Sequence, residues 1–305
     1  MTKMTRKLIL AVLTVVVTVV TLGTTTFAWF TLTNTSVIQN FNANVITDAG
    51  IEIALADFTT APEDLVWKTT LTTADIISYI ETKYGGTFAF NHVTSANGTT
   101  FNELGLGDPD ALGVATTSGF LSLPIHFRSS TATEINWTQV TLTSPTVSWR
   151  TPIGFVNSKG VTLANNDTYD VNAADAMRIS VTGNIGGSLA TTVYENPSSD
   201  TNTVLGAKTA PADNFMISPL RNGAIDYYYN VTNTYPGGMN VINTAPTVTS
   251  VTEIKVLDMS TGNIPVHEQE YYGQITIRIW FEGWDQEALN ALLGRTITAG
   301  FRFQA

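Results

Sequence analysis

Residues 275–281 read Ile-Thr-Ile-Arg-Ile-Trp-Phe, and this stretch decides the fold class. Every second residue is large and apolar, so in an extended chain four side chains share one face: Ile275, Ile277, Ile279 and Phe281. The opposite face carries the residues between them: Thr276, Arg278 and Trp280. Alternation with a period of two is typical of an antiparallel strand with one face in a core. The C-terminal part of the chain is therefore predicted to be sheet.

The same alternation recurs upstream, which predicts an all-β protein. It is found at residues 51–55, 121–127 and 225–231. Proline lacks the N–H that a central strand needs, so Pro124 predicts an edge or a bulge for the second of these strands. The glycine-rich stretch 183–187 follows a strand and is interpreted as a hairpin turn rather than a nucleotide-binding loop.

Two segments have helical rather than strand periodicity. The first covers 73–84, with Thr73 as a possible cap, a stop at the two glycines that follow, and four residues on one stripe: Ile76, Ile77, Ile80 and Tyr84. The second covers 285–293, with Asp285 as the N-cap. Because this second helix lies between two strong strands, it is predicted to close one end of a sheet pair.

Composition excludes several functional classes. The 305 residues carry a formal net charge of −10, which opposes nucleic-acid binding, and the absence of cysteine excludes disulfide scaffolds and thiol chemistry. The chain is 43% hydrophobic and 13% charged, enough apolar material for a core. With no low-complexity linker, we predict one jelly-roll-like antiparallel β-sandwich with a few short helices, mainly all-β.

The amino terminus has the layout of a secretory signal helix. Three basic residues among the first seven precede an uncharged, mostly aliphatic run at 8–22, and small residues follow. Cleavage is predicted between Ala28 and Trp29, giving a signal peptide at 1–28 and one sandwich domain at 29–305. The alternative is an uncleaved membrane anchor that extends through the aromatic pair after the cleavage site.

Residues capable of catalysis are few and scattered. The three histidines, His92, His126 and His267, form no zinc-binding helix motif and are interpreted as solvated loop or strand residues. Two acidic groups resemble turn residues more than calcium loops: Asp108 with Asp110, and Asp167 with Asp170. We predict no catalytic, metal or cofactor-binding residues, and a protein that is not an enzyme.

Three short stretches near the amino terminus carry a family resemblance. They are 27–31 (Phe-Ala-Trp-Phe-Thr), 40–43 (Asn-Phe-Asn-Ala) and 51–53 (Ile-Glu-Ile). Together they resemble the amino terminus of the TasA/camelysin family of exported bacterial surface and biofilm-matrix proteins. The likeness covers roughly residues 20–55; Asn44 stands where that family has glycine, and an aspartate expected soon after the Trp-Phe pair is missing.

The resemblance implies an exported structural subunit with a jelly-roll-like sandwich. TasA-type subunits assemble by lending the freed amino-terminal segment as a strand to the next subunit. Residues 29–45 are compatible with that role because they are uncharged and strand-prone. The side chains expected to fill a neighbour's pockets are Phe30, Leu32, Val37, Ile38 and Phe41. The alternative is an ordinary first strand packed within its own subunit.

The predicted function is therefore a subunit of an extracellular fibre or of a surface or biofilm matrix. Its expected partners are further copies of itself and other surface or matrix proteins, without nucleic acid, and with the membrane only through the signal segment. No cofactor is expected. Two other hypotheses remain: a camelysin-like surface metalloprotease and a membrane-anchored monomeric adhesin.

Overall fold

A computed structural model describes fifteen stretches of the chain: residues 36–37, 41–48, 50–85, 88–91, 93–95, 97–104, 112–152, 154–156, 161–196, 247–261, 270–283, 285, 288, 290–292 and 295–305. The described strands, numbered in chain order, are β1 (Ser36–Val37), β2 (Phe41–Thr47), β3 (Glu52–Leu55), β4 (Thr70–Leu71), β5 (Ala89–Phe90), β6 (Val93–Thr94), β7 (Phe101–Leu104), β8 (Leu112–Thr116), β9 (Leu121–Ser129), β10 (Glu134–Thr143), β11 (Val147–Arg150), β12 (Phe155–Val156), β13 (Thr162–Leu163), β14 (Thr168–Val171), β15 (Met177–Ile185), β16 (Ser188–Glu195), β17 (Thr247–Val248), β18 (Ile254–Asp258), β19 (Ser260–Thr261), β20 (Tyr271–Phe281) and β21 (Ile297–Gln304). One α-helix, α1 (Thr73–Tyr84), and three 3-10 turns, Pro62–Asp64, Ala173–Ala176 and Asn290–Leu292, complete the described elements.

Two large sheets form the body of the molecule. The first has the order β18-β10-β21-β2-β4, and the second has the order β17-β16-β15-β20-β9-β3 with β19 against the start of β20. The long pairings between named strands are antiparallel, except that β2 runs parallel to β21 over seven residues. The smaller sheets are β1-β5, β6-β7-β8, β11-β14 and β12-β13.

The sheets pack face to face over one apolar core, which confirms the predicted all-β sandwich. Phe127 of β9 meets Phe303 of β21 with ring centroids 5.4 Å apart, and Trp137 of β10 faces Tyr194 of β16 at 6.4 Å. The alternating residues of β20 also belong to this core: Ile275, Ile277, Ile279 and Phe281. Full burial of each such side chain stabilises the folded state by roughly 1.5–3 kcal/mol, so the period-two pattern is the main determinant of the fold.

The hairpin between β15 and β16 is as predicted. Ile185 pairs with Ser188, and the two residues between them have positive φ angles, 61° at Gly186 and 81° at Gly187. Two successive positive φ values are required by the tight turn that matches strand twist, and glycine adopts them without strain.

Helix α1 covers the predicted residues, but two details of the prediction are wrong. Thr72, not Thr73, is the N-cap: it forms a capping box in which the Asp75 carboxylate accepts from the Thr72 N–H at 2.9 Å. Ile76 and Ile80 face the core, whereas Ile77, predicted for the same stripe, is 37% exposed. The helix ends as predicted at Gly85, which has a φ angle of 69°.

The predicted helix 285–293 is wrong. Residue 285 is a bend, and the described part of the segment contains only the 3-10 turn Asn290–Leu292. Asp285 does not act as a helix cap because its buried carboxylate pairs with Arg178 instead. Ala288 and Leu292 are nevertheless buried in the core, so the segment still closes one end of the sandwich.

The strand that contains Pro124 was predicted to be an edge or bulged strand, but β9 lies inside the second sheet between β20 and β3. The proline is tolerated because of its position along the strand. β3 ends opposite Ile125, so Pro124 lies just beyond the reach of that neighbour. The other predicted strand, 225–231, lies outside the described residues.

Candidate assembly site

The predicted assembly segment enters the described structure at β1. Ser36 pairs with Phe90 and Val37 with Ala89, which makes β1-β5 a two-residue antiparallel sheet separate from the two large ones. Several predicted residues lie outside the described part of the chain: Ala28, Trp29, Phe30, Leu32 and Ile38. The signal peptide lies there as well.

Phe41, the last predicted assembly residue, opens β2 in this chain's own first sheet. β2 is parallel to β21 and antiparallel to β4, with Val45 opposite both Phe301 and Leu71. Val45 is fully buried and Ala43 nearly so, while Asn44 points to solvent. Part of the 29–45 segment is thus built into the core of its own subunit. A strand lent to a neighbour while this sheet remains intact would have to come from residues before Phe41.

Strand β5, the partner of β1, rests on aromatic side chains. Phe88 and Phe90 are both 7% exposed, and their rings meet edge to face at 5.2 Å. Tyr84, from the last turn of α1, packs against Phe88 at 5.0 Å, and its hydroxyl accepts from the backbone N–H of Ser122 in β9. The edge that receives Ser36–Val37 is therefore anchored to both α1 and the second sheet.

An open groove of about 560 Å³ runs between α1 and the chain that follows β3. Two ion pairs line it: Lys68 with Asp75, and Lys83 with Asp57 at 2.6 Å. Burial raises the pKa of Tyr79, and its hydrogen bond to Asp57 adds to that effect. The two ion pairs balance the charge of the groove lining, and the Tyr79 phenol stays protonated at neutral pH. It offers hydrogen bonds and apolar contact rather than acid–base chemistry.

A buried charge cluster lies where β15, β16 and the end of β20 meet. Arg178 is 4% exposed; its guanidinium contacts Glu195 at 3.1 Å and Asp285 at 2.5 Å. A third carboxylate, Glu282, accepts from the Trp280 indole N–H at 3.0 Å and from the Ser95 backbone N–H. Two carboxylates therefore pair with one guanidinium in a desolvated site, and the charge of a third lies close enough to act on it.

The cluster shifts the pKa values of its members. Burial raises the pKa of Glu195 to about 7, although the nearby Arg178 charge lowers it. The negative charges of Asp285 and Glu282 also raise this pKa. Burial alone would lower the pKa of Arg178, but the surrounding carboxylates outweigh it and raise that pKa. Nothing in the amino-acid sequence indicates this cluster, since its residues are separated along the chain and each occupies an outward-facing strand or loop position.

His126 is not solvated as predicted but fully buried. Its Nδ1 lies 2.6 Å from the Tyr272 hydroxyl, and its Nε2 lies 3.0 Å from the carbonyl oxygen of Ala56. Because that carbonyl only accepts, the Nε2 atom carries the proton and Nδ1 accepts from tyrosine. Burial lowers the pKa of His126, against the raising effect of its backbone bonds. The imidazole is therefore a neutral link between the second sheet and the segment that covers it.

The remaining predicted polar groups are spread over turns. Asp167 accepts from the backbone N–H of Ala164, and Asp170 binds the Ser148 hydroxyl, as turn and strand residues do. His92, His267, Asp108 and Asp110 lie outside the described residues. Within the described part of the chain, no group of three or more His, Asp or Glu side chains is arranged to hold a metal ion.

Comparisons with protein-family models, with curated proteins and with solved structures give no match for this chain. Among the described residues, the helices are too short or too polar to cross a membrane. The candidate assembly site is therefore defined by its geometry alone. It is the two-residue ladder between β5 and β1, which belongs to the amino-terminal segment.

Proposed function

We propose that this chain is an exported, non-enzymatic structural subunit that polymerises with copies of itself into an extracellular fibre or surface matrix. The amino-terminal segment before Phe41 acts as the assembly strand. The observation that carries the proposal is the β1-β5 pairing, in which Ser36–Val37 adds to the edge of Ala89–Phe90. A second copy presents the same edge, so the segment can add to its own β5 or to a neighbour's with the same register.

The composition of the segment supports this role. Residues 29–44 carry no charge, while the protein as a whole is strongly acidic. Contact between copies through charged surfaces would be opposed by repulsion, whereas an uncharged extended segment avoids it. Ladder hydrogen bonds supply affinity, and the alternating side chains supply specificity through the pockets that they fill.

The absence of cysteine makes the proposal directly testable by crosslinking. Val37 and Ala89 are Cα partners across the ladder, so cysteines at these two positions lie within reach of each other. The two substitutions, V37C and A89C, are placed on separate chains that begin at residue 29. The chains are mixed under assembly conditions, oxidised and separated on a non-reducing gel.

A disulfide-linked pair of chains is the expected product. V37C mixed with V114C is the matched control, because Val114 on β8 is 77% exposed and is not a ladder partner of β1. If V37C and A89C on separate chains do not crosslink, while the double variant on one chain crosslinks only internally, strand exchange is refuted.

A second test disables the segment without touching the described core. Phe30→Asp or Leu32→Asp should abolish fibres seen by electron microscopy, because burying an unpaired carboxylate in an apolar pocket is costly. The thermal midpoint of the monomer should stay unchanged. Normal fibres from both variants would leave the segment without a role in assembly.

A further inference from the structure

The outer face of the second sheet has a polar strip between two covered ends. At one end of β20, Tyr272 packs with Ala54 and Leu65 from the β3 region. At the other end, Trp280 is covered by a cluster that includes Val93 and Phe101. The outward residues of β20 between these ends are Gln274, Thr276 and Arg278.

Hydroxyl groups form the floor of this strip. The register places Thr276 beside Thr182, and Thr182 beside Thr191, across three neighbouring strands. The Thr182 and Thr191 hydroxyls are 2.9 Å apart, and the Arg278 guanidinium donates to the Thr182 hydroxyl at 3.1 Å. The guanidinium therefore extends along a row of side chains that can donate or accept hydrogen bonds.

Arg278 differs from the other arginines of the two large sheets because it has no counter-charge in the described structure. Arg128, Arg178 and Arg302 each pair with a carboxylate. The hydrogen bond to Thr182 uses one of five N–H donors, and no described carboxylate is bonded to Arg278. Burial lowers the pKa of Arg278, and no neighbouring charge offsets that shift. A half-buried guanidinium without a counter-charge destabilises the folded state and attracts an anion.

We propose that the strip defined by Arg278, Thr182, Thr191 and Thr276 is a binding site for a carboxylate group. The planar guanidinium fork matches the two oxygens of a carboxylate, and the hydroxyl row supplies further donors. One positive charge balances one negative charge, so a monoanion suits the site better than a phosphate dianion on a protein this acidic. The carboxylate comes either from a small free ligand or from an acidic side chain of a second copy.

The arginine Nε–Hε signals of uniformly ¹⁵N-labelled protein report on the site directly. The chain from residue 29 is titrated with sodium acetate, and in parallel with sodium chloride at the same ionic strength. The Arg278 signal is assigned by its loss in R278K. We expect a saturable shift of this signal with acetate and none with chloride, while the signal of Arg302, already paired with Asp48, stays in place.

Two variants separate the site from general charge effects. R278K keeps the charge but loses the fork, and T182V removes the floor hydroxyl. Acetate bound at the site should protect the wild-type protein against thermal unfolding. Either change should weaken this protection, and R278K should lower the apparent affinity for acetate by about tenfold. An equal response to chloride, or a stronger response to sulfate than to acetate, overturns the proposal, as does full acetate protection in R278K.

A dilution series identifies the source of the carboxylate. If the Arg278 signal shifts with protein concentration in the absence of acetate, and R278K removes that dependence together with self-association in sedimentation, a second copy supplies the group. A signal that is independent of concentration but responsive to acetate indicates a free ligand. Both results support the carboxylate site, and neither depends on strand exchange at β5. The outcome can therefore be distinguished from that of the crosslinking test.

Discussion

Replacing Glu195 with glutamine should change how stability depends on pH. Glu195 is 8% exposed, and its pKa is raised in the folded protein from 4.5 to about 7. The folded state therefore binds a proton that the unfolded state releases between these pH values. The favourable contribution is fully present below pH 4.5 and is lost as the pH rises through about 7.

The size of this effect follows from the shift. A difference of about 2.5 pH units at 1.36 kcal/mol per unit corresponds to about 3 kcal/mol. In wild-type protein, this term lowers the free energy of unfolding by about that amount between pH 4.5 and pH 8. The E195Q variant lacks the titrating group but keeps an acceptor oxygen for Arg178, so its stability should fall less over the same interval.

Urea denaturation at pH 4.5, 5.5, 6.5, 7.5 and 8 provides the measurement, and the difference between the two proteins provides the result. Taking the difference cancels the opposite trend from His126, whose lowered pKa makes acid destabilising. If wild type and E195Q show the same pH dependence of stability within about 0.5 kcal/mol, the pKa of Glu195 is not raised by folding.

Three further predictions concern the core, a close backbone contact and a helix cap, each measured by chemical denaturation. Ile277→Ala should cost about 2–5 kcal/mol because Ile277 is fully buried, while Val114→Ala at an exposed site should change stability by less than about 0.5 kcal/mol; equal effects would place β20 on the surface. Gly183→Ala should cost about 1–3 kcal/mol or more, because the new Cβ would clash with the backbone carbonyl oxygen of Val256, and a neutral result would exclude that contact. Thr72→Ala should lower the free energy of unfolding by about 1 kcal/mol through loss of the capping box, whereas unchanged stability would show that Thr72 does not cap α1.

The sequence predicted the parts of the fold in which local pattern and burial agree. The β20 alternation was sufficient because its inner residues are all large and apolar. Helix α1 was located because its stripe and its glycine stop coincide. The cap was missed by one residue because threonines at 72 and 73 are chemically equivalent and only the Asp75 contact distinguishes them.

The polar sites could not be predicted from the sequence, because distant segments determine their environment. His126 and Arg178 occupy outward positions on their strands, which in isolation indicate solvent. The chain around Ala56 covers the first, and the Glu195 and Asp285 carboxylates enclose the second. The parallel pairing of β2 with β21 could not be predicted from the sequence either, since nothing in either strand specifies its partner or direction.

The pairing of β2 with β21 also constrains the order of folding. These strands come from opposite ends of the chain: Asp48, just after β2, binds Arg302 of β21 across 254 positions. β21 lies between β10 and β2, so the first sheet cannot be completed before β21 has been synthesised. A nascent chain of this kind cannot close its sandwich early. Until β21 is present, β10 and β2 both lack the strand that pairs with them, and the first sheet stays in two parts.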